Sequence, residues 1–280
     1  FVTGIRYDNN ENYGSHIAPR GYLIYSINNN FTLKGGVASG YKAPSLRQST
    51  DNWGSITGGA NAPVPGVILG DSSLKPEKSF NQELTVMFEN DKKTFSANVT
   101  AYNTNFQDKI TEVRLCDNCE YNGKDYLFVS RQSNVDKSVI HGLETNLTLR
   151  FTKDINLKAN YTFTESEVKS GDLKGKSLSR LPKHMANAIL EWKATKDLDF
   201  WSRYNFRSKS LPGISRGNAA TTTIADYSLV DLGGIYKFTN NFQFNLGVYN
   251  IFNRQVYNST GASEFRIDGT RYQVGATFRF

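Results

Sequence analysis

Reading back from the C-terminus, Tyr272, Val274, Ala276, Phe278 and Phe280 alternate with Arg271, Gln273, Gly275, Thr277 and Arg279. A period of two puts one set on each face of an extended strand, so this segment predicts a strand with one apolar and one polar face. The same dyad recurs in Phe242, Phe244, Leu246 and Val248 against Gln243, Asn245, Gly247 and Tyr249, and in Val230, Leu232, Gly234, Tyr236 and Phe238 against Asp231, Gly233, Ile235 and Lys237. Upstream copies run through Ile155 to Phe163, Leu143 to Phe151, Phe95 to Ala101 and Phe31 to Val37. About twelve such segments of roughly nine to fourteen residues are predicted, a length that crosses a bilayer at a tilt and is long for a soluble sheet.

The connections alternate in size. Short turns fall at Asn28-Asn29-Asn30, Asn90-Asp91-Lys92, Thr152-Lys153-Asp154, Thr195-Lys196-Asp197 and Thr239-Asn240-Asn241. Between them, long polar loops are expected over roughly 42–76, 109–136, 165–181, 209–222 and 250–269, matching the tight periplasmic turns and long extracellular loops of bacterial outer-membrane barrels. By that parity Phe280 lies on the periplasmic side. Aromatic residues near strand ends, among them Tyr102, Phe106, Trp192, Phe200, Trp201 and Tyr236, are expected in interfacial girdles. The fold class is therefore all-β, an antiparallel transmembrane β-barrel.

Composition fits that pattern. The 280 residues include 18 Phe, 15 Tyr and 23 Gly but 2 Met, and mean hydropathy is −0.50. No run approaches the roughly eighteen apolar residues of a spanning helix, and Val64 to Leu69 is broken by Pro65 and Gly66. A barrel tolerates low hydropathy because alternate residues face a wet lumen. The net charge of +7 is scattered, with no basic arm, which argues against nucleic acid as a partner. The start at Phe1, with neither Met nor signal peptide, reads as an excerpt of a longer protein.

Two cysteines, Cys116 and Cys119, flank Asp117 and Asn118 in an otherwise cysteine-free chain, which suits one disulfide stiffening an exposed loop in an oxidising compartment. Zinc would need more ligands, and His16, His141 and His184 do not cluster in sequence, so no metal site is expected. Gly171 to Ser177 imitates a phosphate-binding loop but is one residue short between its glycines and lacks a helix pattern. No catalytic constellation emerges, so an enzyme is not expected.

Several segments, in order, resemble the C-terminal half of TonB-dependent siderophore receptors. They are Lys34 to Leu46, Leu74-Lys75-Pro76-Glu77 with Glu83, Asn134-Val135, Ile140 to Glu144, Leu181-Pro182, Val248 to Asn253, and Gly269-Thr270-Arg271-Tyr272 leading to a terminal Phe. The likeness spans nearly the whole chain and, through Gly40 to Leu46 and the cysteine loop, runs to the enterobactin-type (catecholate) and colicin I receptors. It implies that residues 1–280 are the C-terminal part of a roughly 22-stranded barrel whose N-terminal plug is absent from this chain. It further implies a bacterial outer-membrane location, with Tyr272, Phe278 and Phe280 as the assembly signal. The implied partners are a ferric siderophore, TonB acting through the absent segment, lipopolysaccharide and outer-membrane lipid, with a colicin or phage as further users of the loops.

A ferric catecholate is large, flat-faced and anionic, so such a receptor needs cations and aromatic surfaces on its outer loops. Tyr41, Lys42, Arg47 and Trp53 in the first long loop, and Lys209 and Arg216 in the fourth, are the candidate ligand residues, with Arg47 and Arg216 leading because guanidinium is a planar fork. Iron would be held by the siderophore, so no protein cofactor is expected. Inward-facing Glu83, Glu144, Arg150, Arg203 and Arg271 are candidate contacts for the plug. The alternatives are a substrate-specific porin-like channel, or a receptor of this class for haem, vitamin B12 or another metal chelate.

Overall fold

The computed structural model describes the chain except residues 52, 58–63, 171–173, 179–180, 211–213, 216–217, 220–222, 258–262 and 266, with backbone alone for 135, 136, 214, 215, 218, 219, 257 and 263–265. A meander of β1 (Val2–Asn10), β2 (Gly14–Ser26) and β3 (Phe31–Lys42) leads into a single helical turn, α1 (Leu46–Ser49), and two short strands, β4 (Gly54–Thr57) and β5 (Gly66–Leu69). Next come β6 (Glu77–Glu89), the long pair β7 (Phe95–Tyr121) and β8 (Lys124–Arg150), and β9 (Ile155–Val168), β10 (His184–Lys193) and β11 (Leu198–Arg207). The last stretch holds the two-residue strands β12 (Ile214–Ser215) and β13 (Asn218–Ala219), then β14 (Tyr227–Lys237), β15 (Phe242–Tyr249), β16 (Val256–Tyr257), β17 (Ser263–Phe265) and β18 (Arg271–Phe278).

One open antiparallel sheet dominates, in the order β1-β2-β3-β6-β7-β8-β9-β10-β11-β14-β15-β18, with β1 and β18 at its edges. Among the described residues, the strand number and all-β class agree with the dyad pattern. Register keeps the two faces apart: Leu246 lies opposite Gly234 and Val274 on one face, while Asn245 lies opposite Ile235 and Gly275, and Tyr249 opposite Arg271, on the other. On the polar face Asn98, Asn146, Asn160, Asn187 and Asn205 form one row across β7 to β11. Two of its steps are amide hydrogen bonds, Asn146 to Asn98 at 2.9 Å and Asn187 to Asn160 at 2.7 Å.

The short turns share a local cause. The hydroxyls of Thr152, Thr195 and Thr239 each accept from the backbone N–H two residues on, at 3.1, 3.2 and 3.2 Å. The Asn28 and Asn90 side chains accept from Phe31 and Thr94 N–H at 2.8 Å. Such side-chain bonds let short polar residues turn a chain without a longer loop.

Two expectations need correction. The polar loop anticipated over 109–136 is instead the outer half of a hairpin of two 27-residue strands. It closes at Asn122-Gly123, both with positive φ (51° and 75°), the geometry that matches strand twist in a two-residue turn. Tyr102, Phe106 and Trp201 are not in an apolar girdle: parity puts them on the polar face. There Tyr102 lies opposite Glu83, Phe106 opposite Ser79, and Trp201 opposite Glu191 and over Gly233.

Candidate functional site

Beyond the rim of the sheet, the β7–β8 hairpin and the segment between β3 and β6 build a cap. β4 pairs antiparallel with β5, and β5 lies parallel to β8 with Gly66, Val67, Ile68 and Leu69 opposite Phe128, Val129, Ser130 and Arg131. Pro65 C=O accepts from Leu127 N–H at 3.0 Å where the two strands meet. Gly66 is required there, because the Phe128 ring occupies the space a Cβ would need. Val67, Leu69 and Val129 are 3, 4 and 1 % exposed, with Cys116, Cys119, Tyr121 and Tyr126 packed around them.

Cys116 and Cys119 are bonded, with Cα atoms 6.2 Å apart. In a regular strand side chains three positions apart point to opposite faces. A register shift between Arg114 and Cys116 and a positive φ of 47° at Asn118 break that regularity and bring both sulfurs to one side. Asn tolerates the left-handed conformation better than most residues. On the neighbouring face the Arg114 guanidinium lies 3.7 Å over the Phe128 ring and 3.5 Å from Asp117.

A clasp ties the cap to the sheet. Asn134 accepts from Lys75 N–H at 2.8 Å and donates to the carbonyls of Lys75 and Asp108 at 2.9 and 2.6 Å. Glu77 accepts from Ile110 N–H at 2.9 Å and pairs with Lys42 at 2.8 Å. The α1 arm is fastened to β5 in turn: Asp71 N–H reaches Gln48 C=O at 2.7 Å and Gly70 N–H reaches Trp53 C=O at 3.0 Å. Asp51 accepts from the Ser72 N–H at 2.8 Å and from its hydroxyl, and these bonds, with a smaller contribution from Arg131, hold its carboxyl below the ordinary range.

The sequence-predicted ligand residues separate into distinct settings. Arg47, on α1, is exposed and donates from Nε to Ser55 Oγ, and Trp53, further along the same connection, is 54 % exposed. Lys42 faces Glu77 across the clasp, and Tyr41 stacks on His16 with ring centroids 4.4 Å apart. Lys209 is exposed just past β11, on a different connection. Arg216 lies outside the described residues.

On the polar face of the sheet, Glu83 pairs with Lys34 at 3.2 Å, Arg150 donates to Lys93 C=O at 2.8 Å, and Glu144 lies opposite Thr100 and Thr162. Arg203 binds the buried Asp231 carboxylate through two nitrogens at 2.7 and 2.6 Å. Arg203 and Arg271 approach the Tyr249 ring at 5.8 and 4.7 Å. Sequence reading missed the roles of Tyr249, Asp231 and Asn250. Asn250 has a positive φ of 48°, donates from its backbone to Asp231 at 2.7 Å, and bonds through its amide to Arg254 N–H and to the Arg254 and Asp268 carbonyls. Thr270 Oγ1 donates to Asn250 C=O at 2.9 Å, so the two C-terminal segments quoted above form one knot. Among the described residues there is no cluster of three metal-ligating side chains.

Residues 1–251 match the family model "TonB dependent receptor-like, beta-barrel". The chain is 36 % identical over 280 residues to an iron-regulated outer membrane virulence protein of Vibrio cholerae serotype O1, covering 99 % of this chain and 41 % of that protein. It is 29 % identical over 284 residues to the ferrienterobactin receptor of Escherichia coli K12, covering 98 % of this chain and 37 % of that one. A crystal structure of a variant of the ferric enterobactin receptor PfeA from Pseudomonas aeruginosa superposes with a TM-score of 0.79 at 25 % identity, over 99 % of this chain and 42 % of its own. The chain thus spans about two fifths of the length of these relatives.

Proposed function

Because the chain belongs to the TonB-dependent receptor β-barrel family, we propose that it is part of an outer-membrane receptor that imports a ferric siderophore, with ferric enterobactin or a related catecholate as the ligand. The observation that carries the reading is the cap: a structured outer face that leaves a guanidinium, Arg47, and an aromatic plane, Trp53, open to solvent. Those are the groups a flat anionic chelate needs, and two of the relatives above are named for enterobactin.

In this reading the apolar rows of the sheet face lipid and the asparagine row and ion pairs face the lumen. The short turns and Phe280 lie on the periplasmic side, and the cap lies outside the cell. TonB would act through a segment outside this chain, and the inward charges Glu83, Glu144, Arg150, Arg203 and Arg271 would meet a plug supplied by it. The iron arrives and leaves within its chelator, as cargo. Lys209 and Arg216 are proposed as a second cationic contact, on the connection after β11.

The test is equilibrium binding to the full-length receptor, read by quenching of Trp and Tyr fluorescence, with ferric enterobactin against a ferric hydroxamate, haem and cobalamin. Selective binding of the catecholate, weakened about tenfold or more by Arg47→Ala with Arg216→Ala, is the expected outcome. Binding of haem or cobalamin alone would reassign the substrate. Free ion conductance with no chelate bound would favour a porin-like channel.

A further inference from the structure

The disulfide lies on β7, while Arg47 lies on α1, nearly seventy residues earlier in the chain, yet bonded neighbours connect them. Arg47 donates to Ser55; Ser55 pairs with Ile68; Ile68 pairs with Ser130; and Ser130 pairs with Arg114, at the register shift that separates Arg114 from Cys116. A second set of ties, Gln48 to Asp71 and Trp53 to Gly70, fastens the same arm to the end of β5. A Cβ on Gly70 would lie against the carbonyls of Thr50, Gln48 and Arg47, so the arm lies directly against the end of β5. β5 is held to β8 by its short parallel ladder and by the small core of Val67, Leu69 and Val129, with the two cysteines packed against that core.

We propose that the Cys116–Cys119 cystine and the core beside it are positioning elements for ligand recognition, setting where the α1 arm presents Arg47 and Trp53. The proposal rests on the reading of those two residues as ligand contacts. Neither cysteine need touch ligand. Asn118, whose left-handed backbone turns both sulfurs to one side, is part of the same device.

The physical reason is preorganisation. An arm already seated on a rigid hairpin loses little conformational freedom when a chelate binds, whereas a loose arm must be ordered at that moment. What joins β5 to the hairpin is a four-residue parallel ladder and a core of three buried aliphatic side chains, a small attachment, so loosening the hairpin surface beneath it frees the arm. The sheet, fastened by its own ladders, should not respond.

The experiment uses the full-length receptor in four forms: wild type, Cys116→Ser with Cys119→Ser, Leu69→Ala, and Leu69→Met. Amide exchange at Gly70 and Asp71, whose N–H groups tie the arm, is expected to accelerate about tenfold or more in the first two variants. Amides of β14 and β15 should be unchanged. Affinity for ferric enterobactin should fall by about tenfold in the same two variants. Leu69→Met, which conserves volume, should restore both readouts.

Unchanged exchange at Gly70 and Asp71 in the double serine variant would overturn the proposal. So would accelerated exchange with full affinity, since the arm would then be free to move without cost to binding. If wild type binds no ferric chelate, the receptor reading fails separately, and the exchange data alone decide whether the cystine positions the arm.

Discussion

The sheet and the cap are both built of β-ladders, antiparallel but for the β5–β8 pair, yet they treat apolar side chains in opposite ways. In the sheet Leu246 and Val274, opposite one another, are 55 and 76 % exposed. In the cap Val129 is 1 % exposed and has Val67 and Leu69 beside it. A soluble domain hides such residues in its own interior. The difference teaches that backbone ladders set the shape of both regions while the apolar contacts that stabilise them come from different places. The cap supplies its own; the sheet relies on a solvent that accepts exposed Leu, Val and Phe.

The largest effect should come from putting a charge on the apolar row. Leu246→Arg is expected to destabilise the receptor in lipid vesicles by about 2–4 kcal/mol if the residue lies near the midplane. Urea-dependent unfolding in vesicles would measure it. A loss of about 0.5 kcal/mol or less is what a water-facing surface site gives, and would break the contrast.

A smaller effect is expected from Val129→Ala, about 2 kcal/mol, from lost burial and the cavity left behind. It should be confined to the cap, seen as faster amide exchange in β5 and the outer half of β8 with β14 and β15 unaltered. Equal acceleration in both regions would mean the cap has no stability of its own.

The smallest effect concerns pH. Asp51, held by Ser72, titrates below its ordinary value of 3.8. A folded-state pKa lowered in this way contributes stability that is fully present above the unfolded value and is lost as pH falls through the folded one. The Ser72 amide should therefore keep its protection at neutral pH and lose it only below about pH 4. Asp51→Asn should remove that pH dependence. An unchanged profile in the Asn variant would show that the carboxylate does not fasten the loop.

The sheet could be read from the chain because its chemistry has period two and its turns carry local signals. Each Thr-Lys-Asp or Asn-rich turn declares itself within three residues. The cap hid for the opposite reason. The register shift at Arg114 to Cys116 changes the phase of alternation, and the left-handed Asp108 and Asn118 interrupt the extended backbone, so the outer half of the hairpin looks aperiodic. Its one overt signal was Asn122-Gly123, a hairpin turn in the middle of what read as a loop.

The β5 pairing was invisible too, since a four-residue apolar strand gives no hint of a parallel partner sixty residues away. The family segments were visible but spoke of architecture. Glu77, Asn134, Asn250 and Thr270 fasten loops to the rim, and Gly142 leaves room for the Phe163 carbonyl. They identify a fold more than they choose a ligand. Arg47 and Trp53 are candidates by type and place alone, and nothing in the sequence said that the β5 strand their arm is tied to lies against a distant hairpin.

From the Asn134 clasp to the Asn122-Gly123 turn the hairpin runs for about a dozen residues, on the order of 40 Å at strand spacing. Treated as a beam pivoting at its foot, it has mechanical advantage. A rotation of about 7° there sweeps the tip through about 5 Å, the width of one strand-to-strand step. Load applied at the tip acts through the same arm on the hydrogen bonds that Asn134 makes to Lys75 and Ile110 makes to Glu77.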